Sequence, residues 1–218
     1  MKYEYCGISL GDDIKDIINK FDISKIEYRD SMKRLYFKLG NFSKKTNLEC
    51  FLSIPIETGK VIYIIIFDEK FKLFNELEIW QELTNEIKEK YELYYDEDDD
   101  GIYLSKKYKY LKIGVDEGYG RIEGFKDYKE RIFSFIFDAQ EDIRWILQQD
   151  KITNYLECQN LQDIYNSLYD SKTLDVDIEK REIYGQLDNY KFIFSLWTRD
   201  IKSIQNLETG EYVKTSLE

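Results

Sequence analysis

Three stretches of this chain alternate apolar and polar residues on both sides of a short polar turn. They cover residues 49–67, 110–125 and 189–204, and their turns fall at 57–59, 116–120 and 197–200. A period of two places the apolar side chains of a strand on one face, and a polar turn between two such runs is typical of an antiparallel hairpin. The pattern therefore predicts a chain that folds largely as antiparallel β-sheet.

Apolar residues recur at helical spacing ahead of each hairpin, in residues 12–21, 81–91 and 161–168. This spacing places them on one face and predicts three short amphipathic helices, the first capped by Asp12 or Asp13. Shifting the chain by 147 residues superimposes the first helix on the third, and a shift of 70 gives a weaker match with the second. These shifts bring Ile17, Ile87 and Ile164 to the same position. We expect all three side chains to face a sheet.

The combination predicts an α+β fold with antiparallel sheets and short helices, built as three divergent repeats of a helix followed by a β-meander. The predicted units are 1–75, 76–128 and 129–218, and the third opens with a strand at 131–137 and a helical run at 143–147. No linker rich in proline, glycine or serine separates the units, so we expect them to pack together. Chance matches in a chain rich in isoleucine and tyrosine are the alternative explanation of the repeat.

The chain carries a formal net charge of −11, and the charge is unevenly distributed. Counting Lys and Arg against Asp and Glu gives 13 − 11 = +2 for residues 1–75, 8 − 15 = −7 for 76–128, and 11 − 17 = −6 for 129–218. A negative field repels phosphate backbones and anionic membranes and attracts basic proteins. The distribution favours a basic protein partner over nucleic acid or membrane, while solubility is the simpler explanation of the same charge.

The three cysteines, Cys6, Cys50 and Cys158, are far apart and form no Cys-x-x-Cys pair. This pattern predicts free thiols, with Cys50 buried in a strand, and no metal or other cofactor. The longest apolar run, residues 61–67, is much shorter than the roughly 20 residues of a membrane-spanning helix. The first residues show no secretory signal, so we expect a cytoplasmic protein.

Histidine is absent from the sequence. Its absence excludes catalytic Ser-His-Asp and Cys-His systems and every histidine-ligated metal site. An acid or base would have to be a carboxylate, Lys, Tyr or Cys. A pair of catalytic carboxylates is a spatial arrangement that spacing along the chain does not reveal. A small carboxylate-dependent hydrolase, similar to a glycosidase, therefore stays open as an alternative to a non-catalytic protein.

Five consecutive acidic residues at 96–100 are followed by Gly101. Asp96, Asp98, Asp100 and Gly101 match the start of a calcium-binding EF-hand loop, but the twelfth position is Lys107 instead of Glu and the flanks predict strands. The run is better explained as an acidic hairpin turn or as a contact surface for a basic partner, without metal. We predict six partner-binding residues: Tyr94, Tyr95, Asp96, Asp98, Asp99 and Asp100.

Lysine and tyrosine alternate over residues 106–110. Interleaved basic and aromatic residues occur in proteins that bind single-stranded nucleic acid. At a period of two they also form a strand with lysines facing water, and the acidic surroundings favour this second interpretation. The sequence therefore predicts no nucleic-acid site here.

The chain opens with Gly7-Ile8-Ser9-Leu10-Gly11 ahead of an amphipathic helix. This phrase resembles the opening of small BamE-like α+β units, in which a short strand and a glycine precede a helix and an antiparallel sheet. More broadly, the acidic, repeat-built chain resembles the immunity proteins that accompany bacterial polymorphic toxins. The resemblance implies a non-catalytic protein that neutralises a basic toxin domain.

Overall fold

A computed structural model describes residues 2–20, 26–39, 50–116, 129–140, 142, 154–168 and 173–215. The chain divides into two compact units. The first unit comprises residues 1–10, 38–52 and 63–139, and the second comprises 11–37, 53–62 and 140–218. These units do not coincide with the three predicted repeats.

Strands predominate over helices. The strands are β1 (Glu4–Tyr5), β2 (Ile8–Ser9), β3 (Ile26–Arg29), β4 (Arg34–Leu39), β5 (Cys50–Pro55), β6 (Tyr63–Ile66), β7 (Lys72–Leu73), β8 (Leu77–Glu78), β9 (Leu93–Tyr95), β10 (Ile102–Ser105), β11 (Leu111–Asp116), β12 (Arg131–Asp138), β13 (Asp175–Asp177), β14 (Glu182–Leu187), β15 (Tyr190–Ser195), β16 (Ile201–Asn206) and β17 (Tyr212–Thr215). The α-helices are α1 (Ile14–Ile17), α2 (Asn85–Lys90) and α3 (Leu161–Ser167), and 3-10 helices cover Ile18–Lys20, Asp30–Met32 and Tyr155–Glu157. The predicted class of antiparallel sheets with short helices is confirmed.

Five strands of the first unit pair in the order β6-β12-β11-β10-β9, and each pairing is antiparallel. Ile113 of β11 lies opposite Phe135 of β12, and Phe137 lies opposite Ile64 of β6. All four side chains are buried, so cross-strand pairs build the core of this unit. β12, which the predicted boundaries assign to the third repeat, pairs with β11 and β6.

The second unit contains an antiparallel meander in which β13 to β17 pair in chain order. Its core includes Ile183 of β14, Phe192 and Phe194 of β15, and Ile204 of β16, all buried. β3 and β4 form a further antiparallel pair in which Ile26 lies opposite Phe37.

The helices begin at the capping residues that the sequence favours. The side chain of Asp13 accepts a hydrogen bond from the Lys15 N–H at the start of α1, and Asn160 accepts one from Asp163 in α3. Thr84 caps α2, which therefore starts later than the predicted 81–91 segment.

The three predicted sheet-facing residues differ in burial. Ile17 and Ile164 are buried, whereas Ile87 of α2 is only half-buried. Ile87 belongs to the helix that matches the other two least well in sequence, and it is also the least buried of the three residues.

One turn recurs three times, at residues 55–60, 195–200 and 206–211. In each copy the N–H of the fifth residue donates to the carbonyl of the first, with N···O distances of 2.9, 3.0 and 2.8 Å. The fourth residue is threonine, whose hydroxyl accepts from the sixth N–H. The fifth residue has positive φ and is Gly59, Arg199 or Gly210.

The first two of these turns meet a helix start in the same way. Gly59 accepts a hydrogen bond from the N–H of Ile14 at 2.9 Å, and Arg199 accepts one from Leu161 at 3.3 Å. This local likeness concerns the first and third predicted repeats, and the threefold repeat itself remains a prediction.

The predicted hairpins at 49–67 and 189–204 correspond to β5 with β6 and to β15 with β16. The second half of the hairpin at 110–125 and the helical run at 143–147 lie outside the described residues.

The predicted strand at 106–110 is wrong, because these residues form the turn between β10 and β11. Ser105 ends β10. Its hydroxyl donates to the Tyr91 carbonyl at 2.7 Å and accepts from the Tyr108 N–H at 3.1 Å. These bonds compete with continuation of the strand.

Candidate functional site

The acidic turn, residues 96–101, joins β9 to β10 at one end of the sheet in the first unit. The Asp96 N–H donates to the Ile102 carbonyl at 2.9 Å, and the Ile102 N–H donates to the Asp99 carbonyl at 3.2 Å. Gly101 has a φ of 77°, a conformation that glycine adopts without strain. The backbone therefore folds into a closed tip that carries the acidic side chains.

The carboxylates of this turn form hydrogen bonds within the turn and no ion pair with any described residue. Asp96 accepts a hydrogen bond from the Asp98 N–H, and Asp100 accepts one from the Tyr95 hydroxyl. Within the described part of the chain, no lysine or arginine lies within ion-pair distance of residues 96–100. Asp98, Asp99 and Asp100 are exposed and Asp96 is half-buried. The result is a concentrated negative charge that neighbouring residues do not neutralise.

The two predicted tyrosine contacts differ in position. Tyr94 and Tyr95 are successive residues of β9 and lie on opposite faces of the sheet. Tyr94 is 43% exposed, and the ammonium group of Lys106 lies 5.3 Å from its ring centroid. The Tyr95 hydroxyl donates to Asp100 and accepts from the Gly101 N–H, both at 3.1 Å. Tyr94 is thus the accessible aromatic, whereas Tyr95 holds the turn in shape.

A network missed by the sequence analysis lies between α2 and β10. Lys88 donates to the Tyr103 hydroxyl at 2.8 Å and forms an ion pair with Glu130 at 2.6 Å, and Tyr103 donates to Glu130 at 2.8 Å. Burial raises the pKa of Tyr103, and Glu130 adds to this effect. The three groups satisfy one another, so they position α2 on the sheet. Lys88 and Tyr103 are 15 residues apart in the sequence, and Tyr103 and Glu130 are 27 apart. No local sequence pattern could therefore have revealed this network.

Residues 96–101 match the start of a calcium-binding loop in sequence. Calcium requires several oxygen ligands that converge on one point. Among the described residues, no group of three or more acidic or cysteine side chains converges in a way that could hold a metal ion. Lys107, at the twelfth position of the motif, lies beyond the far end of β10. The absence of calcium from this turn stays a prediction.

No protein-family model matches the chain, and no curated protein matches its sequence. One solved structure with similarity is described as the uncharacterized protein yfeY from Escherichia coli, with a TM-score of 0.35 and 10% sequence identity. The match covers 52% of this chain and 78% of that chain. A likeness this distant carries no argument about function.

None of the helices in the described ranges has the length and apolar character needed to span a membrane.

Proposed function

We propose that this chain is a non-catalytic binding protein that captures a basic protein through the acidic turn, and that it acts in the cytoplasm as an immunity protein against a basic toxin domain. The observation that carries the proposal is the negative charge of residues 96–100, which no described cation neutralises, beside the exposed ring of Tyr94. Adjacent carboxylates repel one another, and a basic partner relieves this repulsion through charge-assisted hydrogen bonds.

In this proposal the six predicted residues have different roles. Asp98, Asp99 and Asp100 are exposed at the tip and act first, because exposed charges steer diffusional encounter and raise the association rate. Tyr94 supplies apolar contact area that slows dissociation. Tyr95 and Asp96 bond to the backbone or side chains of their own turn and keep its shape.

We also infer that the fold arose from three helix-plus-meander units. The matching junctions of α1 with residues 55–60 and of α3 with residues 195–200 support this for the first and third units. Such units resemble the BamE-like elements to which the sequence is similar.

The test replaces Asp98, Asp99 and Asp100 together with Asn and measures binding to the product of the neighbouring gene, which this proposal requires to be a basic toxin domain. We expect the association rate at low salt to fall about ten-fold and its salt dependence to flatten, with little change in dissociation. The free energy of unfolding should stay within about 0.5 kcal/mol of wild type or rise slightly.

The matched control replaces Glu86, Glu89 and Glu92 with Gln, which changes the net charge equally. These residues are exposed and lie in or beside α2. The control should retain most of the wild-type association rate. Equal rates for the Asn variant and wild type would show that the turn serves solvation alone. Turnover of a glycoside by the purified chain would instead support the hydrolase alternative.

A further inference from the structure

An aromatic cavity opens near the end of β10 opposite the acidic turn. Its volume is about 470 Å³, within the range of small-ligand sites. Leu73 and Phe137 are buried lining residues. The rings of Phe71, Phe74 and Tyr108 are half-buried and line it as well.

Phe74 is held in an unusual backbone conformation. Its φ is 57° in the turn between β7 and β8, a region that bulky residues rarely adopt. Its ring stacks on Tyr91 at 5.2 Å and contacts Tyr108 at 4.7 Å between ring centroids. Strained residues cluster at functional sites, where the surrounding structure maintains them. Here the strain fixes an aromatic ring at the cavity.

Two charged residues, Lys2 and Glu4, line the cavity, and they pair with each other. Two further lysines lie outside the lining, beside tyrosine rings. The ammonium group of Lys90 lies 5.5 Å from the ring of Tyr91 and pairs with Glu76. Lys107 lies 5.7 Å from the ring of Tyr108 and donates to the Lys90 carbonyl at 3.3 Å.

Lys107 differs from the other two lysines because no carboxylate neutralises it within the described ranges. One positive charge is therefore left uncompensated beside a lining ring.

We propose that this cavity binds a small anionic ligand with an aromatic or apolar body, whose carboxylate lies beside Lys107. The rings bury the body, and the uncompensated ammonium group selects the anion over neutral and cationic analogues. The site is separate from the acidic turn, since β10 lies between them, and its ligand has the opposite charge to the proposed protein partner.

The test titrates the full chain with naphthoate, naphthylmethanol and naphthylmethylammonium by calorimetry. Naphthoate should bind most tightly and weaken as salt is raised. Lys107→Ala should weaken naphthoate about three- to five-fold and leave naphthylmethanol unchanged. Lys106→Ala is the matched control, because Lys106 lies over Tyr94 instead of a lining ring, and it should bind naphthoate like wild type.

A second variant, Phe74→Asn, tests the aromatic wall, since asparagine tolerates positive φ. It should weaken all three probes about ten-fold while melting as a folded protein. Lys107→Ala tests the proposal even if Phe74→Asn does not fold. The proposal is overturned if no probe binds up to about 1 mM, if the three probes bind equally, or if the two lysine variants behave alike.

Discussion

Arg199 is a charged residue in a buried environment. It is only 6% exposed and has positive φ, and its three guanidinium nitrogens have no hydrogen-bond partner among the described residues. Its side chain lies against Gly59, where an added Cβ would come within 3.1 Å of it. The equivalent residue of the other two turns is glycine, so an arginine here adds both backbone strain and charge burial.

The charge of Arg199 is balanced by acids at a distance. Burial lowers its pKa to about 10, and Glu57 and Asp13 oppose this effect. Burial raises the pKa of Glu57, while its own backbone and Arg199 oppose that change. Burial disfavours the charged form of both groups, and each charge attracts the other. Removing one therefore makes the other more costly to keep charged.

Replacing Arg199 by Met should therefore destabilise the chain by about 3 kcal/mol, because the buried acid Glu57 then keeps only the weaker attraction of Arg34. Adding Glu57→Leu to that variant should recover most of the loss. Urea unfolding measures both. Arg181→Met is the control: Arg181 also has positive φ but is exposed, and its replacement should cost less than about 0.5 kcal/mol. Equal losses for the two arginine variants would contradict the interpretation.

At the scale of elements, the meander of the second unit is cross-linked on one face by Glu182. This residue of β14 accepts hydrogen bonds from the Tyr184 hydroxyl and, at 3.0 Å, from Lys202 of β16. The hydrogen bond from Tyr184, followed by that from Lys202, lowers the pKa of Glu182. The ionised form thus stabilises the three-strand segment.

This shift predicts how stability depends on pH. A folded-state pKa below the unfolded value of about 4.3 gives stabilisation that is complete above the unfolded pKa and is lost as pH falls through the folded pKa. Glu182→Gln should lower the urea midpoint at pH 7 and approach wild type at a pH below the folded-state pKa. Glu179→Gln, at an exposed neighbouring site, should match wild type at both. A constant difference across this range would show that Glu182 acts by packing.

At the scale of the whole molecule, the three cysteine thiols differ in their exposure to solvent. Cys6 is exposed, Cys50 is buried as predicted, and Cys158 is buried. Burial raises the pKa of Cys158 and so reduces its reactive thiolate. Buried thiols react only when the surrounding structure opens.

Under native conditions a thiol reagent should label one cysteine rapidly and two slowly, and denaturant should release three per chain. Labelling rates followed by mass spectrometry distinguish the sites. Cys6→Ser should abolish the rapid phase and leave the slow ones unchanged. A rapid reaction of Cys50 would mean that β5 opens more readily than its complete burial implies.

Local patterns were sufficient to predict the kinds of element and several of their ends. The alternation at 189–204 predicted β15, its turn and β16, and the capping preference of aspartate marked the start of α1. Periodicity and capping depend on residues within a few positions of one another, so they are present in the sequence itself.

Long-range pairing decided the rest. β12 joins β6 across more than sixty residues, and the partners of Lys88 come from β10 and from Glu130. The lysines at 106–110 became a turn because Ser105 bonds to Tyr91, a residue of another segment. The cavity and the buried charge of Arg199 likewise depend on packing between distant residues. Such contacts form only when the entropy of closing long loops is offset by the whole core, and no local pattern encodes them.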